Sequence, residues 1–313
     1  MVSEPIRRSL HRAKPRSKRT LRIWDMSYKF IFDTNVLKPE IVQKLEEESL
    51  KEACHSGKVA FYFTPVLLKE RLDFLLKGAI LETAKGSIRF LLSIRWQRLF
   101  NDLNGPEGIY TLELEGKLPS EYLFTSYSEV RTNLELVFQG VVLSNEARED
   151  VQRDKDRWLG QKQKNCIAFK EMREQINNHL RENPSLTREG SKFSDFRDAN
   201  FEKIAIDKIN KSINSQISKE TLIEYWKKYK ERCPYFNKFI EGWLFMAWYA
   251  MAMEQEPKID PNAYEDIEHL VYLNSVDGIV SNEKGFMKKA CQELFPDKDF
   301  LSADEFMERF KRG

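Results

Sequence analysis

Tyr28-Lys29-Phe30-Ile31-Phe32-Asp33-Thr34-Asn35 is the stretch on which the reading of this chain turns. A short apolar run stops abruptly at three polar residues, the pattern of a strand buried in a parallel sheet. In open α/β sheets ligands bind just past the carboxyl ends of such strands. Asp33 is therefore expected at the active edge and not in the core. The competing reading is a helix cap, since Asp33 and Asn35 are both cap-forming residue types.

Working outward, Pro39 to His55 places Ile41, Val42, Leu45 and Leu50 at helical spacing, and Gly57 ends that helix. Val59-Ala60-Phe61-Tyr62-Phe63 is a second short apolar strand. Thr64-Pro65 reads as an N-cap followed by proline at the first helical position, with the helix continuing through Leu67, Leu68, Leu72, Leu75 and Leu76. A β-α-β-α order implies a parallel sheet. Residues 145–232 are highly charged and helical in pattern, broken at Asn183-Pro184 and Gly190, too much helix for one crossover. Beyond them come an aromatic helix over 235–254, a helix from Tyr264 to Leu273 and a strand at Gly278-Ile279-Val280-Ser281. A helix from Lys284 to Leu294, a short strand at Asp299-Phe300-Leu301 and a helix from Ala303 to Phe310 close the chain. The expected organisation is a basic N-terminal arm over 1–26 and one domain over 27–313. Its core is discontinuous, 27–100 with 235–313, and a mostly helical insertion occupies about 101–234.

The net charge of +2 hides an asymmetry. Arg7, Arg8, Arg12, Lys14, Arg16, Lys18, Arg19 and Arg22 face a single acid, Glu4, within residues 1–22. That segment carries +7 and leaves the remainder at −5, so the body alone is not a basic nucleic-acid binder. A flexible basic arm is the reading adopted; an Arg-rich, acid-poor leader also has the composition of a transit peptide. Cys54, Cys166, Cys233 and Cys291 form no C-x-x-C pair, and the four histidines show no metal-ligand spacing. Free thiols in a reducing, cytoplasmic setting are expected. The longest apolar run, Trp243 to Met253, is about half the ~20 residues of a membrane helix, so no membrane partner is expected.

Asp33 has company in the sequence. Glu70 lies in the helix after the second strand, Asp266 near the start of the helix leading to Gly278, and Glu283 just past that strand. All four fall near sheet ends on one edge. Clustered carboxylates repel unless a cation or proton neutralises them, and hard oxygen donors suit Mg²⁺ or Mn²⁺. Each has a plainer reading. Glu70 is a solvated helix residue in one, and Asp266 has neighbours Glu265 and Glu268 as rivals.

The chain resembles the PIN-domain metal-dependent nucleases. The resemblance rests on Phe30-Ile31-Phe32-Asp33-Thr34-Asn35, Thr64-Pro65-Val66-Leu67-Leu68-Lys69-Glu70 and the segment Tyr264-Glu265-Asp266-Ile267-Glu268-His269-Leu270. It continues through Val276 to Phe286 and Phe300 to Phe306, and covers about 28–80 and 235–313, under half of the chain. It implies a Rossmann-like three-layer α/β/α sandwich that hydrolyses RNA or DNA with Mg²⁺ or Mn²⁺. Asp33, Glu70, Asp266 and Glu283 take the places of the family's acids. The family's Thr-x-Asp is Ser281-Asn282-Glu283 here, one methylene longer at the acid.

Around those acids, Asn35 and Ser281 are candidates to orient a carboxylate, Lys284 to meet a phosphate and His269 to hydrogen-bond beside Asp266. Asp277 is a further neighbour whose plainer place is the far end of the strand. Trp243, Phe245, Trp248 and Tyr249 alternate between base stacking and core packing, with packing preferred. The expectation is an endonuclease acting on RNA more than on DNA, helped by the arm's attraction for phosphates. The insertion is a candidate surface for a protein partner or a second copy. A non-catalytic nucleic-acid-binding protein on a degenerate fold, or a toxin or defence ribonuclease, are the alternatives.

Overall fold

The computed structural model describes residues 27–47, 57–64, 67, 89–92, 96–100, 106–117, 124–125, 192–252 and 262–311, with scattered helical positions between 131 and 178. The basic arm and Glu70 lie outside the described residues. The sheet order is β4-β3-β2-β1-β5-β6. Its strands are β1 (Tyr28–Phe32), β2 (Val59–Phe63), β3 (Trp96–Phe100), β4 (Phe124–Thr125), β5 (Gly278–Val280) and β6 (Asp299–Leu301). All neighbours pair parallel except β3 with β4, which is antiparallel.

β1 sits at the centre, with Phe30 opposite Phe61 on β2 and Gly278 on β5. Side chains alternate across a strand, and the two faces of this sheet feed separate cores. Ile31, Ala60, Tyr62 and Ile279 pack on one face; Phe30, Phe32, Val59, Phe61 and Val280 pack on the other. The second face is covered by α1 (Pro39–Glu47) and by the C-terminal helix, whose Phe306 meets Phe30 edge-on at 5.2 Å. Among the described residues, several helices feed the core of the first face. They are α2 (Pro106–Leu114), α3 (Phe193–Ser212), α4 (Lys219–Lys228), α5 (Pro234–Ala252) and α6 (Ala263–Val271). α7 (Phe286–Leu294) joins them, and α8 (Ala303–Lys311) is the C-terminal helix just described. Helices thus lie on both sides of a largely parallel sheet. Gly278 is required where β5 crosses β1: a Cβ there would stand 2.6 Å from the Phe30 ring and 2.7 Å from the Asp299 carbonyl.

β2 and β6 fall where the sequence placed them, and α8 opens on a capping box. The Ser302 hydroxyl accepts from the Glu305 amide (3.2 Å) while Glu305 accepts from the Ser302 amide (2.7 Å). The reading of α1 as far as His55 is described only to Glu47. Strands β3 and β4 were not expected. β3 reads Trp-Gln-Arg-Leu-Phe, with two polar residues inside it, so it lacks the apolar run that gave away β1 and β2. Phe193, Ala205 and Ile209 of α3 and Leu222 and Trp226 of α4 share one core with the sheet residue Ile31. In the aromatic helix α5, Phe245 is buried against Phe193 and Phe286, which makes that run core and not a stacking surface. No helix among the described residues is long and apolar enough to cross a membrane.

Candidate active site

β1 ends at Phe32, and Asp33 links it to a 3₁₀ turn over Thr34–Leu37. Buried Val36 and Leu37 pull that turn onto the core and leave Asp33 at the carboxyl edge, 8 % exposed. Its amide still donates to the Val280 carbonyl (3.0 Å), so Asp33 stays locked to the end of β5. As a plain cap it fails: it makes no side-chain cap bond to the turn it precedes.

Ser281, the first residue past β5, is 1 % exposed and uses its hydroxyl fully. It donates to Asp33 Oδ2 at 2.6 Å and accepts from Asn35 Nδ2 (3.1 Å) and the Glu283 amide (3.0 Å). Asn35 Oδ1 in turn accepts from the Asn282 amide (3.0 Å), and Asn282 Oδ1 accepts from the Ala303 amide (3.0 Å). This chain of bonds fixes one Asp33 oxygen through side chains from two segments, anchored on the Ala303 amide of a third. Among the described residues the other oxygen, Oδ1, has only a long contact of 3.4 Å from the Thr34 hydroxyl. No lysine or arginine pairs with Asp33 among the described residues.

His269 of α6 is 2 % exposed and stands in the field of Asp33. Burial pushes its imidazole down to about 4, against the upward pull of Asp33, so the ring is neutral near pH 7. Its Nε2 hydrogen-bonds the Thr64 hydroxyl at 3.0 Å, and Thr64 Oγ1 also accepts from the Leu67 amide at 3.3 Å. The latter is the N-cap bond that Thr64-Pro65 foretold. One buried imidazole therefore ties α6 to Thr64, just past β2, beside Asp33. The sequence offered Thr64 as a cap but gave no sign that it would partner His269.

Asp266 is half-buried, one turn before His269 on the same side of α6. Because α6 leads into the amino end of β5, its own N-terminus lies toward the carboxyl edge of the sheet. Asp266 is thus about 4.5 Å farther out along the axis than His269. Its neighbour Glu265 is buried and sits at i,i+4 from His269, a spacing that marks it as a second acid on that side. Glu283 is half-buried, and its Oε1 accepts from the Gly285 amide at 2.5 Å. A Cβ on Gly285 would lie 2.6 Å from that oxygen, so the glycine makes room for the folded-back carboxylate. Lys284 is exposed beyond it.

Asp277 does not join these residues. It precedes β5 whereas Ser281 follows it, so the whole strand lies between them. There Asp277 Oδ2 accepts from the Lys29 amide (2.8 Å) and its own amide donates to the Lys29 carbonyl (2.8 Å), an edge bond that starts the β1–β5 pairing. Its removal from the site follows from strand direction alone.

Among the described residues no three of His, Cys, Asp and Glu come close enough together to hold a metal ion. Asp33, Asp266 and Glu283 are hard oxygen donors of the kind Mg²⁺ and Mn²⁺ take. A buried carboxylate beside a neutral imidazole, with one oxygen left open, suits such a cation in kind. No family model, no curated protein and no solved structure matches the chain.

Proposed function

We propose that this chain is a metal-dependent nuclease of PIN-like, Rossmann-like architecture that hydrolyses phosphodiester bonds, with RNA as substrate. One observation carries the reading. The buried Asp33 carboxylate at the carboxyl edge of the sheet has one oxygen fixed by Ser281, while among the described residues the other meets only the Thr34 hydroxyl at 3.4 Å. Asp33, Glu70, Asp266 and Glu283 would hold one or two Mg²⁺ or Mn²⁺ ions. Bound there, such an ion lowers the pKa of water and offsets charge on the phosphate oxygens.

The chain's own residues do the rest. Ser281 and Asn35 orient the Asp33 carboxylate. His269, kept neutral by burial, adds no competing positive charge beside Asp33 and holds Thr64 in place. Lys284 is exposed where a phosphate can reach it, and the basic arm attracts the backbone without regard to sequence. A cytoplasmic setting fits the free, buried Cys233 and Cys291.

A second reading, a nucleic-acid-binding protein that has lost catalysis on this fold, has one observation in its favour: the Glu283 Oε1 is already taken by the Gly285 amide. Cleavage of single-stranded RNA with Mn²⁺, measured for the wild type and Asp33→Asn, separates the two. The nuclease reading expects cleavage that Asp33→Asn and excess chelator each abolish. Full activity in the variant or in chelator would reject it.

A further inference from the structure

We infer that the turn joining α4 to α5 is an exosite for the phosphate backbone of single-stranded nucleic acid, remote from Asp33. Only the identity of the polyanion rests on the nuclease reading; the surface itself stands on the following geometry.

The segment Tyr225-Trp226-Lys227-Lys228-Tyr229-Lys230-Glu231-Arg232 places four cations and one acid within eight residues, on a body whose charge outside the N-terminal tail is negative. Lys227 is matched by Glu202 at 2.7 Å, and Lys230 lies in the field of the same carboxylate. Lys228 and Arg232 are exposed, and their contacts are with the ring of Tyr229, at 5.1 Å and 4.7 Å from its centroid. Lys230 stands 4.6 Å over Trp226. Tyr225 and Tyr229, both half-buried, pack against each other at 5.0 Å. Cations backed by aromatic rings keep their outer N–H groups for a phosphate while their stems are held.

The turn is also rigid. Trp226 Nε1 donates to Asn237 Oδ1 (2.9 Å), and Asn237 Nδ2 donates to the Lys230 carbonyl (2.8 Å). From the other side, buried Glu113 accepts the Tyr235 and Phe236 amides that follow the turn. A surface charge cluster held this firmly loses little entropy when it takes up a ligand.

Its place in the fold gives it a distinct role. Tyr235 hydrogen-bonds Ser275, just before β5 begins, and Lys238 Nζ donates to the carbonyl of Leu294 at the end of α7 (2.7 Å). The start of α5 therefore lies at the amino end of the sheet, opposite Asp33. A five-residue strand separates the two ends by roughly 17 Å. An RNA long enough to reach both ends engages the turn; a short one at the Asp33 edge does not.

The test is binding by the full chain in excess chelator, where cleavage cannot interfere. Labelled oligouridine long enough to span both ends and a short one are titrated by fluorescence anisotropy across salt concentrations. The double variant Lys228→Ala/Arg232→Ala changes two exposed side chains, and Lys228→Gln/Arg232→Gln repeats the test with near-native side-chain length. Circular dichroism and a urea midpoint confirm the fold of each. Both variants are expected to bind the long RNA about tenfold more weakly, with a log–log salt slope reduced by about 1.4, close to 0.7 per lost phosphate contact. Short RNA is expected to bind as in the wild type. Unchanged affinity and slope for long RNA would overturn the exosite, as would competition by polyglutamate equal to that by RNA, which points to an acidic protein surface instead. Loss of affinity in a protein that never cleaves RNA would uphold the surface and reject the nuclease reading.

Discussion

Two buried acids, Glu113 in a helix and Asp33 at the end of a strand, show how this molecule separates stability from chemistry. Glu113 closes α2, is 2 % exposed and spends both oxygens on backbone amides, Oε1 on Tyr235 (3.1 Å) and Oε2 on Phe236 (2.8 Å). Burial pushes its pKa up to about 8, against those two amide bonds that pull it down. Asp33 is nearly as buried, yet only one of its oxygens is firmly held, and that by a side chain rather than by the backbone. A carboxylate whose oxygens are both used by amides caps a helix. A carboxylate fixed at one oxygen and open at the other is ready for a ligand. Burial alone does not distinguish the two; the completeness of hydrogen bonding does.

The sharpest break of this comparison is a pair of substitutions. Asp33→Asn keeps an acceptor for Ser281, so RNA cleavage should fall more than about 100-fold while the urea midpoint stays nearly unchanged. Glu113→Ala should do the reverse: about 3 kcal/mol of stability lost through two unsatisfied buried amides, read by urea unfolding, with activity per folded molecule intact. The milder Glu113→Gln probes the pH response. The folded pKa, about 8, lies above the ordinary 4.5. Its stabilisation is thus complete below about 4.5 and is lost as pH rises through about 8. Unfolding measured across that window should flatten in Glu113→Gln.

His269 runs the other way. Its folded pKa of about 4 lies below the ordinary 6.5, so its share of stability is whole above 6.5 and is lost as pH falls toward 4. His269→Gln should lessen the acid-side decline expected in pH-dependent unfolding. The smallest effect is expected for Ser281. Ser281→Ala should lower kcat about tenfold by freeing Asp33, and Ser281→Thr, which retains the hydroxyl, should restore most of it.

Asp33 could be read in the sequence because the run Phe30-Ile31-Phe32 ends so sharply beside it, and β2, β6 and the Thr64 cap were legible for similar local reasons. Glu113 was not. In Leu112-Glu113-Leu114-Glu115 it looks like one of two alternating surface acids, and only the long-range approach of Tyr235 and Phe236 buries it. The same limit applies to β3, whose strand character comes from pairing with β2 and not from its own apolar content. Thr64 and His269 meet across 205 positions of chain, a contact that no local spacing encodes. Asp277 sits close in sequence to Ser281, but a strand sends its two ends to opposite edges of the sheet, and Asp277 lies where its plainer reading put it.

The most direct test of the Asp33 edge as a metal-dependent site is calorimetric titration of Mn²⁺ into the wild type, Asp33→Asn and Glu113→Gln. One or two ions are expected to bind the wild type and Glu113→Gln, with binding weakened by more than about tenfold in Asp33→Asn. Equal Mn²⁺ binding by the wild type and Asp33→Asn, or none by the wild type, would contradict it.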